Sequence, residues 1–91
     1  MLYKIISIRD LDGIEKTDSD SIERLGRVID INQSLLREGR SGFFYCVDPG
    51  RKKSLFTSIV RKINISTNTI NVYTMNSCYE LRYIKKGEMH E

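Results

Sequence analysis

The segment TINVYTMNSCYELRYI, residues 69–84, alternates apolar and polar side chains, breaks, and alternates again. Such alternation suits a strand with one buried face, because successive side chains on a strand point to opposite sides. Two alternating runs joined by a few residues form an antiparallel hairpin. Asn tolerates the positive φ of a two-residue hairpin loop, which places the turn at Asn76-Ser77. That turn pairs Met75 with Cys78, Thr74 with Tyr79, Tyr73 with Glu80, Val72 with Leu81, Asn71 with Arg82 and Ile70 with Tyr83. Ile70, Val72, Thr74, Tyr79, Leu81 and Tyr83 then share a core face. Asn71, Tyr73, Met75, Cys78, Glu80 and Arg82 share the other. A slip of one residue would set apolar against polar throughout, so the two alternations hold the register.

The rest of the chain reads in the same style. LYKIISIR (2–9), RLGRVIDI (24–31), SGFFYCVD (41–48) and SLFTSIVRK (54–62) have strand composition. Phe43 to Val47 is unbroken apolar sequence, which predicts a strand covered on both faces. Pro49 and Gly50 in DPGR favour a type II turn. DLDGIEKTDSDSIE (10–23) is an acidic connection, with one helical turn near Ser21–Leu25 stopped by Gly26. NQSLLREG (32–39) predicts a second short helical turn, with Asn32 or Ser34 as its cap and Leu35 and Leu36 facing in.

At 91 residues the chain is expected to be one domain. Short strands, frequent turns and little helix make it all-β, with room for one short helical turn. The expected architecture is a small, strongly bent antiparallel sheet or a partly open SH3-like barrel of five or six strands. The acidic loop occupies about 10–23, and the last residues, about 86–91, form a frayed tail. No apolar run reaches the ~18 residues of a bilayer span. No small-residue cleavage site follows the N-terminal apolar patch, so no signal peptide is expected and a cytoplasmic address is. Cys46 and Cys78 fit there as reduced thiols.

The sequence is poor in catalytic apparatus. His90 is the only histidine and is the penultimate residue. A nucleophile–histidine arrangement needs an imidazole held by packing, and zinc needs closely spaced ligands. The pairs Asp10/Asp12 and Asp18/Asp20 resemble the start of a calcium loop, but the sixth and twelfth positions from either lack the required Gly and Glu. The six glycines form no phosphate-cradling motif. The expectation is a protein without enzymatic activity, cofactor or metal.

Binding is what remains, and charge and apolar pattern give it two sites. Residues 1–23 carry three basic and six acidic side chains, net −3; residues 24–63 carry nine and three, net +6. The apolar triplet Tyr73, Met75 and Cys78 lies on the hairpin face turned away from the first core. Aromatic residues and Met are enriched in interfaces. The first expectation is therefore a protein–protein interaction module whose partner is another protein or a second copy. The alternative is sequence-tolerant binding of RNA or single-stranded DNA through Arg37, Arg40, Arg51, Lys52, Lys53, Arg61 and Lys62, with Tyr73 as a stacking platform. A hairpin of 41–48 with 54–62 would put Arg51, Lys52 and Lys53 at one end. It would put Arg37, Arg40, Arg61 and Lys62 at the other, roughly 20 Å away at ~3.3 Å per residue.

Overall fold

A computed structural model describes residues 1–50 and 53–85. Six strands form one antiparallel sheet: β1 (Leu2–Arg9), β2 (Val28–Asp30), β3 (Ser41–Phe44), β4 (Leu55–Ile65), β5 (Thr69–Thr74) and β6 (Cys78–Ile84). Their order is β2-β1-β6-β5-β4-β3. The outermost strands come back together through the residues after β3. Ile29 bridges Cys46, the Asp30 N–H donates to the Tyr45 carbonyl at 2.9 Å, and the Val47 N–H donates to the Val28 carbonyl at 2.9 Å. The sheet is thus nearly closed into a small all-β barrel, which leaves little free edge for chance strand pairing. Strand β4 makes the sharpest corner. Its first half pairs with β3 and its second half with β5, with bulges on either side of Val60. A bulge bends and twists the strand that carries it.

The hairpin of β5 and β6 is present with its faces as expected and its turn one residue earlier. Tyr73 pairs with Cys78, Val72 with Tyr79 and Ile70 with Leu81. The loop is Met75-Asn76, closed by the Thr74 N–H on the Ser77 carbonyl at 2.8 Å. Among the described residues only glycines have positive φ, so the Asn-based turn is corrected. The Thr74 hydroxyl directs the chain instead, accepting from the Ser77 N–H at 3.0 Å and the Asn76 N–H at 3.3 Å. Moving a turn by one residue shifts the pairing by two, and a shift of two keeps every side chain on its own face. Ile70, Val72, Thr74, Tyr79 and Leu81 are buried accordingly. Tyr83 is the exception at 37% exposed. It stands at the barrel end, edge-on to the buried Tyr3 ring at 5.9 Å.

One helical expectation holds with slightly earlier bounds, and two others change. The only helix among the described residues is α1 (Ser19–Arg24), where the Asp18 carboxylate accepts from the Ser21 N–H and hydroxyl and Gly26 follows with φ 82°. Residues 32–39 form turns and no helix. Leu35 exchanges two backbone hydrogen bonds of 2.9 Å with Phe43, so this segment lies along the outer edge of β3. Adjacent residues of an extended chain point opposite ways. Leu36 accordingly packs on the core, and Leu35 is 70% exposed. The apolar run 43–47 is not covered on both faces. Phe44 and Cys46 are buried, whereas Phe43 is partly open and Tyr45 is exposed.

The barrel interior holds Ile5, Ile29, Phe44, Val60, Val72 and Leu81, all fully buried. Each is worth about 1.5–3 kcal/mol of burial. Outside that apolar cluster the charged Arg27 is buried as well, at 1% exposed. Its Nε donates to Asp48 Oδ2 at 2.8 Å and its Nη2 to the Lys53 carbonyl at 2.7 Å. Asp48 Oδ1 accepts from the Val28 N–H at 3.1 Å. This pair ties the loop after β3 to β2 beside the barrel's closing seam.

Candidate interaction surface

The outward-pointing residues of β3 and β4 create an open, contiguous apolar feature. Phe43 pairs with Phe56 across the two strands, and their rings sit 5.1 Å apart. Tyr45, two residues on, places its ring 6.4 Å from Phe43. Leu35 joins through its backbone bonds to Phe43, and Phe56 itself is 65% exposed. A groove of about 690 Å³ runs between these side chains and the 34–41 segment. Arg37 and Arg40 line it, held in a turn where Gly39 has φ 89°. Among the described residues no carboxylate lies in ion-pair range of either arginine, although Glu38 sits between them in the chain.

The groove is built by three sequence features with a physical reading. Phe43 and Tyr45 alternate with the buried Phe44 and Cys46, which turns two aromatic rings outward. Gly42 permits close approach, since a Cβ there would lie 2.7 Å from Thr57 Oγ1. The Arg40 carbonyl accepts from the Val60 N–H and the Gly39 N–H donates to the Val60 carbonyl, so the turn bearing both arginines is pinned to β4. The continuous run Phe43–Val47 was the available signal for this surface; its outward half reads as core until the pairing is known.

The sequence-based candidates divide. Tyr73 and Cys78 are cross-strand partners on the outer sheet face and are half-buried. The Lys62 ammonium lies 6.0 Å from the centre of the Tyr73 ring, at the limit of a cation–π contact. Burial pushes the Cys78 thiol up from its ordinary value, against the opposing pull of Arg9 and of the Tyr73 hydrogen bond. Met75 is exposed in the loop, its N–H bonded to the Ile59 carbonyl at 2.9 Å. Both cysteines are free thiols.

Of the basic candidates, Arg37 and Arg40 line the groove, and Arg61 and Lys62 are exposed beside the corner of β4. Lys53 is exposed at the start of that strand's approach. Arg51 and Lys52 lie outside the described residues, as do His90 and the tail 86–91. Two arginines counted in the basic middle are spent internally. Arg27 is buried on Asp48, and Arg24 donates to the Tyr79 hydroxyl at 2.7 Å. Charge counting had no means of finding this. It also passed over Lys4 and Arg82, which are register partners on the outer face of β1 and β6.

A second, polar hollow of about 220 Å³ lies between α1 and the β5–β6 loop. Its cations are engaged within it: Lys16 Nζ donates to the Ser77 hydroxyl at 3.0 Å, and Arg24 to Tyr79 as above. Among the described residues no group of three His, Cys, Asp or Glu side chains is placed to hold a metal ion. No described helix is long and apolar enough to cross a membrane. No family model, curated protein or solved structure matches the chain.

Proposed function

We propose that this domain is a non-enzymatic protein-interaction module that takes up a segment carrying carboxylates beside apolar side chains. The groove between β3, β4 and the 34–37 segment is its docking site. The observation that carries this reading is the pairing of open apolar surface with two cations that no described carboxylate neutralises. Small monomers rarely leave contiguous apolar surface open without use. Aromatic residues and Arg are the side chains that most often anchor interfaces. The exposed aliphatic Leu35 beside the rings favours a protein partner, because it adds apolar surface on which no base stacks. Relative to the sequence reading, the centre of the surface moves from Tyr73 to Phe43 and Phe56; Tyr73 and Met75 do not line the groove.

Titrating the labelled protein with three probes tests the proposal by amide NMR. The probes are a peptide of alternating Asp and Leu, the same peptide with Lys for Asp, and a single-stranded oligonucleotide. The acidic peptide is expected to shift Leu35, Phe43 and Phe56, and Phe56→Asp to abolish that response. No response to the acidic peptide, or equal response to the basic one, would refute the docking site.

A second reading has one specific observation behind it. Lys62 over Tyr73, with Lys4 beside Arg82 on the same outer sheet, gives cations and a ring on one face. Like charges directly opposite repel, and an anionic partner would relieve them. Oligonucleotide shifts centred on Tyr73, with affinity falling at a slope near −0.7 per neutralised phosphate as salt rises, would favour nucleic acid.

A further inference from the structure

The partner chemistry that the groove asks for is present on the chain itself. Residues 10–15, DLDGIE, form a hydrogen-bonded tip at the end of β1. Asp10 Oδ1 accepts from the Asp12 N–H at 2.9 Å and the Ile14 N–H at 3.0 Å. The Asp10 N–H donates to the Ile14 carbonyl at 2.8 Å, the Gly13 N–H donates to the Asp10 carbonyl at 3.0 Å, and Gly13 has φ 85°. The Glu15 bridge to Arg9 anchors the base of the loop. Leu11 stands 60% exposed and Ile14 65% exposed on this loop, with Asp12 and Glu15 open beside them. Two apolar side chains are therefore held outward among carboxylates by a loop that is already ordered. Preorganisation of that kind lowers the entropy lost on docking.

We infer that the occupant of the groove is a second copy of this chain, whose 10–15 loop sets Leu11 and Ile14 against Phe43 and Phe56 and Asp12 and Glu15 against Arg37 and Arg40. The inference rests on the docking reading above and names its partner. Charge excludes the simpler pairings. Groove on groove brings Arg37 and Arg40 toward their own kind, and loop on loop brings carboxylates together; only loop on groove joins opposite charge. Each copy offers one loop and one groove, so the contact closes as a reciprocal pair or continues head to tail. The contact is small, which puts the association in the weak, concentration-dependent range. Its charged part weakens with salt.

Sedimentation equilibrium of the full chain reads this directly. The average mass is expected to rise above the 10.6 kDa monomer between micromolar and millimolar concentration, and to fall back toward it in high salt. Two exposed-site variants break opposite halves of the contact: Phe56→Asp spoils the groove, and Leu11→Asp with Ile14→Asp spoils the loop. Each alone is expected to stay monomeric. Mixed in equal amounts, they are expected to form a one-to-one complex that grows no further, since only one intact loop and one intact groove remain. A wild-type mass that stays at the monomer value, or a loop variant that associates as strongly as wild type, would overturn the inference. So would a mixture that fails to associate. If the wild type stays monomeric while the acidic peptide still shifts Phe43 and Phe56, self-association falls and the docking site stands. If both fail, the docking site falls with it.

Discussion

Asp48→Ala is the substitution with the largest consequence that the sequence did not announce. Asp48 is buried, and its two oxygens hold the Arg27 guanidinium at 2.8 Å and the Val28 N–H at 3.1 Å. Alanine removes both contacts at once. Arg27 keeps the Lys53 carbonyl at 2.7 Å, and Glu23 lies 3.9 Å away with its side chain largely in solvent. Neither substitutes for a carboxylate in direct contact at a site 1% exposed. Breaking a buried ion pair from one side costs about 3–5 kcal/mol, because a charge is left without its compensation. A domain of this size holds roughly 5–14 kcal/mol in all. The loss should lower Tm by tens of degrees, at about 4–8 °C per kcal/mol.

Urea unfolding followed by circular dichroism checks the magnitude, with a reduced midpoint and an unchanged slope. The double variant Arg27→Met with Asp48→Leu should recover most of the loss, since replacing both charges by apolar groups of similar size is often neutral. The remaining deficit belongs to the Val28 N–H, which loses its partner in both designs, and to the Lys53 carbonyl, which loses its partner only in the double variant. A cycle of the two single variants and the double isolates the pair itself. If Asp48→Ala costs less than about 1 kcal/mol, the guanidinium is reaching water or another acceptor, and the description of a buried clasp at the barrel seam is wrong.

Other perturbations act on separate parts of the fold. Gly42→Ala should destabilise by about 1–3 kcal/mol in the same assay, because the new methyl meets Thr57 Oγ1 at 2.7 Å and side-chain carbons of Leu36 and Val60 at 3.2 Å. Ser7→Ala should be neutral or stabilising, since the Ser7 hydroxyl is buried without a hydrogen-bond partner among the described residues. The Ser21 hydroxyl and N–H hold the Asp18 carboxyl below its ordinary value of 3.8. The cap it forms is therefore complete above that value and is lost as pH falls through the lower folded value; the Ser21 amide signal should move over that acidic window and stay flat in Asp18→Asn. Burial raises the Cys78 thiol, so near neutral pH it should alkylate more slowly than a free cysteine, at a rate that climbs until the pH passes its raised value.

The β5–β6 hairpin was legible because its evidence is local and redundant: two alternations must agree, and an error of one residue in the turn moves partners by two and leaves faces intact. The turn chemistry was not legible, because the Thr74 hydroxyl displaced the expected left-handed Asn. Segment 32–39 misled for a different reason. Its caps and paired leucines satisfy a helical turn locally, but the outer edge of β3 offers Leu35 two backbone hydrogen bonds, and that long-range gain decides the conformation. Residues 43–47 show the limit of composition. An apolar run says that a strand is sticky on both faces, and only the chain around it determines whether the second face is covered. Here it is Leu35 and Phe56 that flank Phe43, and both remain largely in solvent.

Barrel closure constrains where any partner of this chain can bind. An open sheet can recruit another strand at its edge, but here β2 is met by residues 45–47 and β3 is met by Leu35, so the edges near the seam are already used. Recognition is left to faces and loop tips. On the faces, the outward residues of β5, β6 and β1 are mostly polar, and their strongest charges include the Arg9–Glu80 pair at 3.4 Å, which neutralises itself. The outward residues of β3 and the start of β4 are aromatic and aliphatic, with two cations at their margin. Desolvating the first face would cost polar groups their water; desolvating the second releases apolar surface from it at about 25 cal/mol per Å². The same comparison among the described tips favours 10–15, where Leu11 and Ile14 are exposed, over the β5–β6 loop, where Met75 is the one large apolar side chain open to solvent. The two surfaces with most to gain from burial carry opposite charge, and this is the physical ground for placing one on the other.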